Sequence, residues 1–250
     1  MPAISSDTLF HFVTKREYLI DILENNFKPR YCQELLSDAM TDRDPWWDRV
    51  IPMKCFCDLT LSSLGPHLKT YGEYGIGMTK DWGKQKGITP VLYVHPDSPL
   101  IECVRSSVGA KIHSLLDGHP VVAKLAGEFQ HLVNFSKPYV GSFLRDGAIV
   151  PDVRFYDERE WRYVPANYDV FESNDILDDV LMAEENRKIG DSSPIKFTPD
   201  DIRYIVVPSE KDILPMLQDL RNIKSPKYDP LVVAKLQTRI QTADQIRADF

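Results

Sequence analysis

The stretch FYDEREWRYVP, residues 155–165, sets acidic residues and arginines among aromatic ones, and this combination predicts a β-strand. Successive side chains of a strand alternate between its two faces. Glu158, Glu160 and Arg162 would therefore share one face, and Trp161 would lie on the other. A solvated edge strand would carry such charges. A binding cleft would carry them too, because two neighbouring carboxylates there shift each other's pKa and take different roles.

Outside this stretch, the periodicity of apolar residues predicts a mixture of strands and helices. Runs of period two indicate strands, and apolar residues spaced by three and four indicate amphipathic helices. Strands and helices in mixed order favour the α+β class. We expect a single domain over 1–250, with a helical insertion around 98–135 and a C-terminal strand-helix extension over 195–250. The other predicted strands are 8–14, 51–61, 89–96 and 202–207. A helix is predicted over 15–27. The segment 172–194 is predicted to form a helix followed by a mobile loop.

The bulk composition disfavours some classes of function. The 250 residues carry a net charge of −7, which argues against non-specific coating of nucleic acid, since that binding depends on clustered lysines and arginines. A local basic groove is still compatible with this charge. The sequence has no apolar run of the about 18 residues that a membrane span needs, and its first residues lack the pattern of a signal peptide. We therefore expect a cytoplasmic protein without membrane contact.

The four cysteines predict reduced thiols rather than disulfides. Cys55 and Cys57 alternate within a predicted strand and would point to the same side. Because no second pair of Cys or His stands at the spacing of a zinc site, core packing is their expected role. The acids of DERE also lack a second acidic cluster, which disfavours a magnesium-dependent nuclease. No metal site is expected.

Three further segments carry side chains that could take part in chemistry. They contain His11 and Thr14 in FHFVT (10–14), His67, Tyr71 and Tyr74 in HLKTYGEYGIGMTKDW (67–82), and Lys137 in NFSKPYVGSF (134–143). Gly75 and Gly77 would allow close approach to the backbone or a positive φ. Each segment also has a structural explanation: a hydrogen-bonded strand histidine, a glycine-rich turn with core aromatics, and a turn lysine.

The chain resembles the AbiGi family of abortive-infection phage-resistance proteins over most of its length. The stretches that carry the resemblance are FHFVT, LIDILENNFKPRYCQE, PMKCFCDLTLSSLGPHLKTYGEYGIGMTKDWGKQKGITPVLYV, KPYVG, FYDEREWRYVP, FTPDDIRYIVVP and LQTRIQTADQIRADF. This resemblance implies a role in phage defence, and the label "antitoxin" carried by the family implies a cognate toxin or antitoxin partner.

A more distant resemblance concerns mechanism. The order His11, then Tyr71 or Tyr74, then Glu158 and Glu160 is similar to that of mono-ADP-ribosyltransferases of the His–Tyr–Glu type. It implies a split antiparallel sheet core with peripheral helices, and NAD as co-substrate. Either tyrosine could supply the middle residue of the series.

The same resemblance implies a role for each candidate. Glu160 would hydrogen-bond the nicotinamide ribose and stabilise the positive charge that develops there, while Glu158 would orient the acceptor or act as its base. The other candidates would hold the ligands. His11 would bind the adenosine ribose of the cofactor, Thr14 would also contact the cofactor, and Tyr71 or Tyr74 would stack on nicotinamide. Lys137 and Arg162 would pair with the pyrophosphate or with Glu160, and His67 would contact the substrate.

The leading hypothesis is thus a toxin that transfers ADP-ribose from NAD to a nucleic acid, RNA or DNA, or to a protein. Two alternatives remain open. One is a non-enzymatic antitoxin or partner-binding module, whose acidic segment 172–190 could meet a basic partner. The other is an NAD glycohydrolase, in which water is the acceptor.

Overall fold

A mixed β-sheet with helices on both faces forms the fold, which confirms the α+β class. The computed structural model describes residues 6–39, 48–103, 131–145, 148–169, 171 and 178–249. The strands there are β1 Thr8–Val13, β2 Arg30–Glu34, β3 Arg49–Cys57, β4 Tyr74–Thr79, β5 Thr89–Pro90, β6 Leu92–Val94, β7 Ser136–Pro138, β8 Gly141–Arg145, β9 Ala148–Val153, β10 Glu160–Tyr163, β11 Ile202–Val207 and β12 Ile240–Thr242. The helices are α1 Arg16–Asn25, α2 Gly65–Tyr71, α3 Lys80–Gln85, α4 Asp179–Ser192, α5 Ile213–Lys224, α6 Pro230–Gln237 and α7 Ala243–Asp249.

The main sheet runs in the order β12-β11-β4-β1-β3-β10-β5, and β2 pairs with β3 beside this path. Its neighbours are antiparallel except for β11 and β12, which are parallel. Two small sheets stand apart from it, a parallel pair of β6 and β7 and a hairpin of β8 and β9. The antiparallel pairs place residues that are distant in sequence side by side.

The sheet opens between β1 and β3. β1 pairs with β4 along its whole length, from Thr8 to Val13. With β3 it shares only the register pair Phe10 and Cys57. The open edge between these two central strands leaves backbone groups and side chains facing a cavity.

Side chains alternate on β1 between two hydrophobic clusters, one on each face of the sheet. Leu9 enters the larger cluster with residues of α1 and α5, whereas Phe10 and Phe12 enter a second cluster with residues of α2 and α7. A Cβ on Gly75 would lie 2.5 Å from the ring of Phe12. The same atom on Gly77 would lie 2.8 Å from the ring of Phe10. These glycines of β4 therefore allow the close approach that the sequence predicted, and core rings make it; neither glycine needs a positive φ.

The predicted strand at 155–165 is wrong in its first half. Residues 155–158 form a turn of 3-10 helix, Arg159 follows with φ 45°, and the strand begins at Glu160. The sharp left-handed turn at Arg159 still keeps Glu158 on the same side of the sheet as Glu160, as their shared contact with Lys137 shows.

The remaining predictions concern helical segments. The helix in 172–194 continues to Ser192, so the mobile loop predicted after it is wrong. The sequence also offers Thr242 as an N-cap, and its Oγ1 accepts from the backbone N–H of Gln245 at 3.0 Å at the start of α7. The helical insertion predicted around 98–135 lies mostly outside the described residues, which omit 104–130.

Candidate functional site

A cavity of about 550 Å³ occupies the opening between β1 and β3. Seven of the nine residues that the sequence singled out line it: His11, His67, Tyr71, Lys137, Glu158, Glu160 and Arg162. They come from β1, α2, β7, the 3-10 turn and β10, so long-range strand pairing assembles the group. Polar and charged side chains lie here against the rings of Phe10, Phe12 and Phe155.

Glu160 and Arg162 form a buried ion pair at the base of the cavity. As the first and third residues of β10 they share one face, and Arg162 Nε donates to Glu160 Oε1 at 2.7 Å. The guanidinium is fully buried; it also donates to the carboxylate of Glu34 on β2 and to the backbone carbonyl of Asn134. Glu34 thus fixes the arginine, and the arginine fixes Glu160.

Lys137 bridges the two glutamates of the DERE stretch. Its Nζ lies 2.6 Å from Glu160 Oε2 and 3.1 Å from Glu158 Oε2. Burial by itself would raise the pKa of Glu160, but the charges of Arg162 and Lys137 outweigh it and hold that pKa well below the usual value. Burial opposes the charge on Lys137 as well, and the surrounding glutamates raise its pKa above the usual value. Both groups are therefore ionised at neutral pH.

Glu158 is the more accessible of the two acids. Its side chain is 16% exposed, compared with 5% for Glu160. Tyr71 donates its hydroxyl proton to Glu158, and burial, followed by the charge of Glu158, raises the pKa of that tyrosine. The ring of His67 lies 4.4 Å from the ring of Tyr71. Burial, assisted by the charge of Lys137, lowers the pKa of His67 to about 4, so its imidazole is neutral at pH 7.

His11 spans the opening of the sheet with its side chain. Its Nδ1 lies 2.8 Å from the carbonyl oxygen of Cys55 on β3. Burial, then the charge of Lys54, lowers the pKa of His11 well below its usual value. A neutral imidazole that donates from Nδ1 has Nε2 as a hydrogen-bond acceptor. The ring packs between Phe27 and Phe56, with centroids 5.7 Å from each.

Thr14 and Tyr74 do not join this cavity. Both line a second depression, with Gly72 and residues of α2 and α7. The hydroxyl of Tyr74 points to Asp212, with its oxygen 3.5 Å from Oδ1, and its ring packs against the larger core cluster. Of the two tyrosines that the sequence offered, only Tyr71 lies beside the glutamates.

Sequence reasoning missed several residues of the cavity, above all Glu34, Arg30 and Lys54. Glu34 ends the stretch LIDILENNFKPRYCQE, but nothing in that stretch marks it as a site residue. The cysteines were expected to pack in the core. Cys57 does so in the second cluster, and both Cys55 and Cys57 line the cavity. The pairing of β2 and β10 with β3 brings these residues together, and a local pattern does not encode it.

Neither a metal cluster nor a membrane span occurs in the part of the chain that is described. No group of three or more His, Cys, Asp or Glu residues there could hold a metal ion. No helix there is long and apolar enough to cross a bilayer.

Comparison with known proteins identifies the class as putative abortive phage resistance proteins. A family model described as "Putative abortive phage resistance protein AbiGi, antitoxin" matches residues 25–208. An abortive phage resistance protein AbiGi of Lactococcus lactis subsp. cremoris is 26% identical over 254 residues, which cover 90% of this chain and 99% of that protein. The chain belongs to the AbiGi family, as the resemblance in its sequence implied. No solved structure matches it.

Proposed function

We propose that this AbiGi-family protein is an ADP-ribosyltransferase that consumes NAD in phage defence. The observation that carries the proposal is the meeting of His11, Tyr71 and Glu160 in one cavity. These are the side-chain types of the His–Tyr–Glu transferases, in the same chain order. The cavity, at about 550 Å³, falls within the roughly 300–1,000 Å³ of small-molecule sites.

The charge at the glutamate end suits the reaction. Cleavage of the nicotinamide–ribose bond of NAD builds positive charge on the ribose. The carboxylates of Glu158 and Glu160 lie there beside Lys137, and Arg162 pairs with Glu34 and Glu160, so an ionised Glu160 is fixed in place to meet the developing charge. Fixed charges in a site that excludes water stabilise an opposite charge more strongly than water does.

The remaining side chains fit the binding of a nucleotide. Nε2 of His11 would accept a hydrogen bond from a ribose hydroxyl, because Nδ1 is engaged by the Cys55 carbonyl. The ring of Tyr71, partly exposed in the cavity, would stack on a planar base. Glu160, kept ionised by its two cations, would accept from the hydroxyl of the second ribose.

The acceptor would approach from a neighbouring depression of about 620 Å³. It shares His67, Tyr71 and Glu158 with the main cavity and contains the exposed ring of Tyr156. Glu158, at the junction of the two, would take the proton of an attacking hydroxyl, amine or ring nitrogen. A nucleic-acid base and a protein side chain both suit this position.

A second candidate is a non-enzymatic antitoxin. The description of the AbiGi family as an antitoxin favours it. In that case the buried ion pairs around Arg162 would stabilise the fold, and the protein would act by binding a partner toxin.

The test uses NAD labelled in its adenylate part. Purified protein is incubated with lysates of uninfected and phage-infected cells, which are then separated into RNA, DNA and protein. We expect label in one fraction with the natural protein and at least about a hundredfold less with Glu160→Gln, in line with the loss of a group that stabilises transition-state charge. Glu184→Gln is the matched control, since Glu184 is an exposed acid on α4.

Three outcomes would redirect the assignment. Loss of NAD without label in any fraction would indicate an NAD glycohydrolase. Intact NAD in both lysates would contradict the proposal that the protein is an NAD-consuming enzyme. If Glu160→Gln then still protected cells against a partner toxin, the antitoxin would replace it.

A further inference from the structure

Tyr93 supports the strand that carries Glu160, although it does not itself line the cavity. The hydroxyl oxygen of Tyr93 accepts the backbone N–H of Glu160 at 2.8 Å. The backbone carbonyl of Glu160 accepts from the N–H of Val91 at 3.1 Å. Because β5 ends at Pro90, a side chain completes here the hydrogen bonding of β10 that a neighbouring strand would otherwise provide.

Tyr93 also contacts the turn that carries Glu158. Its ring lies edge-on to the ring of Tyr156, with centroids 5.3 Å apart and an angle of 74° between the rings, a favourable arrangement for an aromatic pair. Tyr156 belongs to the 3-10 turn 155–158, whose last residue is Glu158. Tyr93 therefore touches the chain on both sides of Arg159, the left-handed residue that separates the two acids.

The pairing of β6 with β7 sets Tyr93 beside Lys137. The two residues stand in register in this parallel pair, and neighbouring side chains in register leave a sheet on the same face. Lys137 reaches the carboxylates of Glu158 and Glu160, whereas Tyr93 holds the backbone of Glu160. One short pair of strands thus contacts the acids at both the side chain and the main chain.

We propose that Tyr93 is a positioning residue for the two acids. Its hydroxyl anchors the backbone of Glu160, and its ring supports the turn that ends at Glu158. The inference rests on the proposed function, because the relative position of the acids matters if one meets the ribose of NAD and the other the acceptor. The hydrogen bond itself can be tested in the absence of any reaction.

Two variants separate the hydroxyl from the ring. Tyr93→Phe removes the acceptor for the Glu160 amide and keeps the ring that packs on Tyr156. Tyr163→Phe is the matched control: Tyr163 is a partly buried residue of the same strand β10, and no hydrogen bond of its hydroxyl is found within the described ranges.

Two measurements on the full chain test the anchor. Hydrogen exchange at the Glu160 amide, followed by NMR, should be about tenfold faster in Tyr93→Phe, which is roughly the weight of one neutral hydrogen bond. The kcat for release of nicotinamide from NAD should fall by about the same factor. The KM for NAD should change little, because Tyr93 does not line the cavity. Tyr163→Phe should leave exchange, kcat and KM unchanged.

The outcomes separate this inference from the proposed function. Unchanged exchange at the Glu160 amide in Tyr93→Phe would overturn the anchor, whether or not NAD is consumed. An unchanged kcat, or a higher KM without a loss of kcat, would overturn the positioning role. Equal losses in Tyr163→Phe would overturn it too, since they would indicate a general effect on β10. Faster exchange in a protein that leaves NAD intact would support the anchor and contradict the transferase.

Discussion

Lys137 and Glu160 form an ion pair at the base of the cavity, with Nζ 2.6 Å from Oε2. Lys137 precedes a proline in β7, and Glu160 opens β10. The same ammonium lies 3.1 Å from Glu158. Two carboxylates this close repel each other when both are ionised, and the shared lysine removes that obstacle. The pair of acids can then divide their roles while both remain charged.

Replacing Lys137 with methionine tests this division. Without the lysine, the pKa of Glu160 should rise toward its usual value, because one of the two cations that lower it is gone. Glu160 would then become protonated at a higher pH, so the acidic limb of the rate profile should shift to higher pH. The measurement is the rate of transfer from pH 4 to 8. Lys84→Met, which removes an exposed ion pair with Asp81, should leave the profile in place.

Arg162→Met should destabilise the fold. The guanidinium is fully buried and contacts two carboxylates, and removing one partner of a buried pair typically costs about 3–5 kcal/mol because the other charge is left uncompensated. Unfolding in urea measures the change. Arg154→Met is the control, since that arginine and its partner Asp157 are each 59% exposed. Exposed pairs contribute about 0–1 kcal/mol, and an equally small loss at Arg162 would contradict the buried network.

The two tyrosines of the glycine-rich segment should differ in their effect on the reaction. Tyr71→Ala removes the ring beside Glu158 and should raise the KM for NAD by about tenfold, the upper part of the range for a stacked aromatic pair. Tyr71→Phe keeps the ring and removes the donor to Glu158, so it should affect kcat more than KM. Tyr74→Ala alters the second depression and the packing of the larger core cluster, and Tyr74 does not line the cavity. A larger effect of Tyr74→Ala on KM would reverse the assignment.

Lys54 predicts a specific dependence of stability on pH. Its pKa is lowered from 10.5 to about 8, so the folded state loses its proton first and the unfolded state binds more protons between these values. Stability should therefore rise with pH across this window. Relative to Lys54→Met, the natural protein should gain on the order of 2 kcal/mol there.

Urea unfolding at pH 7 and pH 10.5 measures that gain. The pKa of Lys54 is also influenced by Cys32, Cys55, Arg30 and Asp21. Lys54 in turn lowers the pKa of His11. Lys224, whose pKa burial also lowers to about 8, is present in both proteins and cancels in the difference. Equal differences at the two pH values would contradict the lowered pKa of Lys54.

Local patterns predicted much of the fold. Apolar, β-branched and aromatic runs predicted strands at β1, β3 and β11. The helical spacing of Tyr18, Leu19, Ile22 and Leu23 predicted α1; the last three form its buried face, whereas Tyr18 is exposed. The failures lie where tertiary contacts overrule local pattern. The acidic run before Glu160 reads as a strand, yet the left-handed turn at Arg159 ends it.

The candidate site was predictable only in part. Residue type and order singled out His11, Tyr71, Lys137 and the glutamates, and the structure brings them to one cavity. The contribution of β2 was not foreseen, because Glu34 belongs to the site only through the pairing of β2 with β3 and the reach of Arg162.

The release of nicotinamide from NAD tests the central claim most directly. Purified protein is supplied with NAD and infected-cell lysate, beside His11→Ala, Glu160→Gln and Tyr74→Ala. The account predicts release by the natural protein and by Tyr74→Ala, and its loss in the other two variants, because His11 and Glu160 line the central cavity and Tyr74 does not. Release that persists in both His11→Ala and Glu160→Gln, or no release by the natural protein, would contradict it.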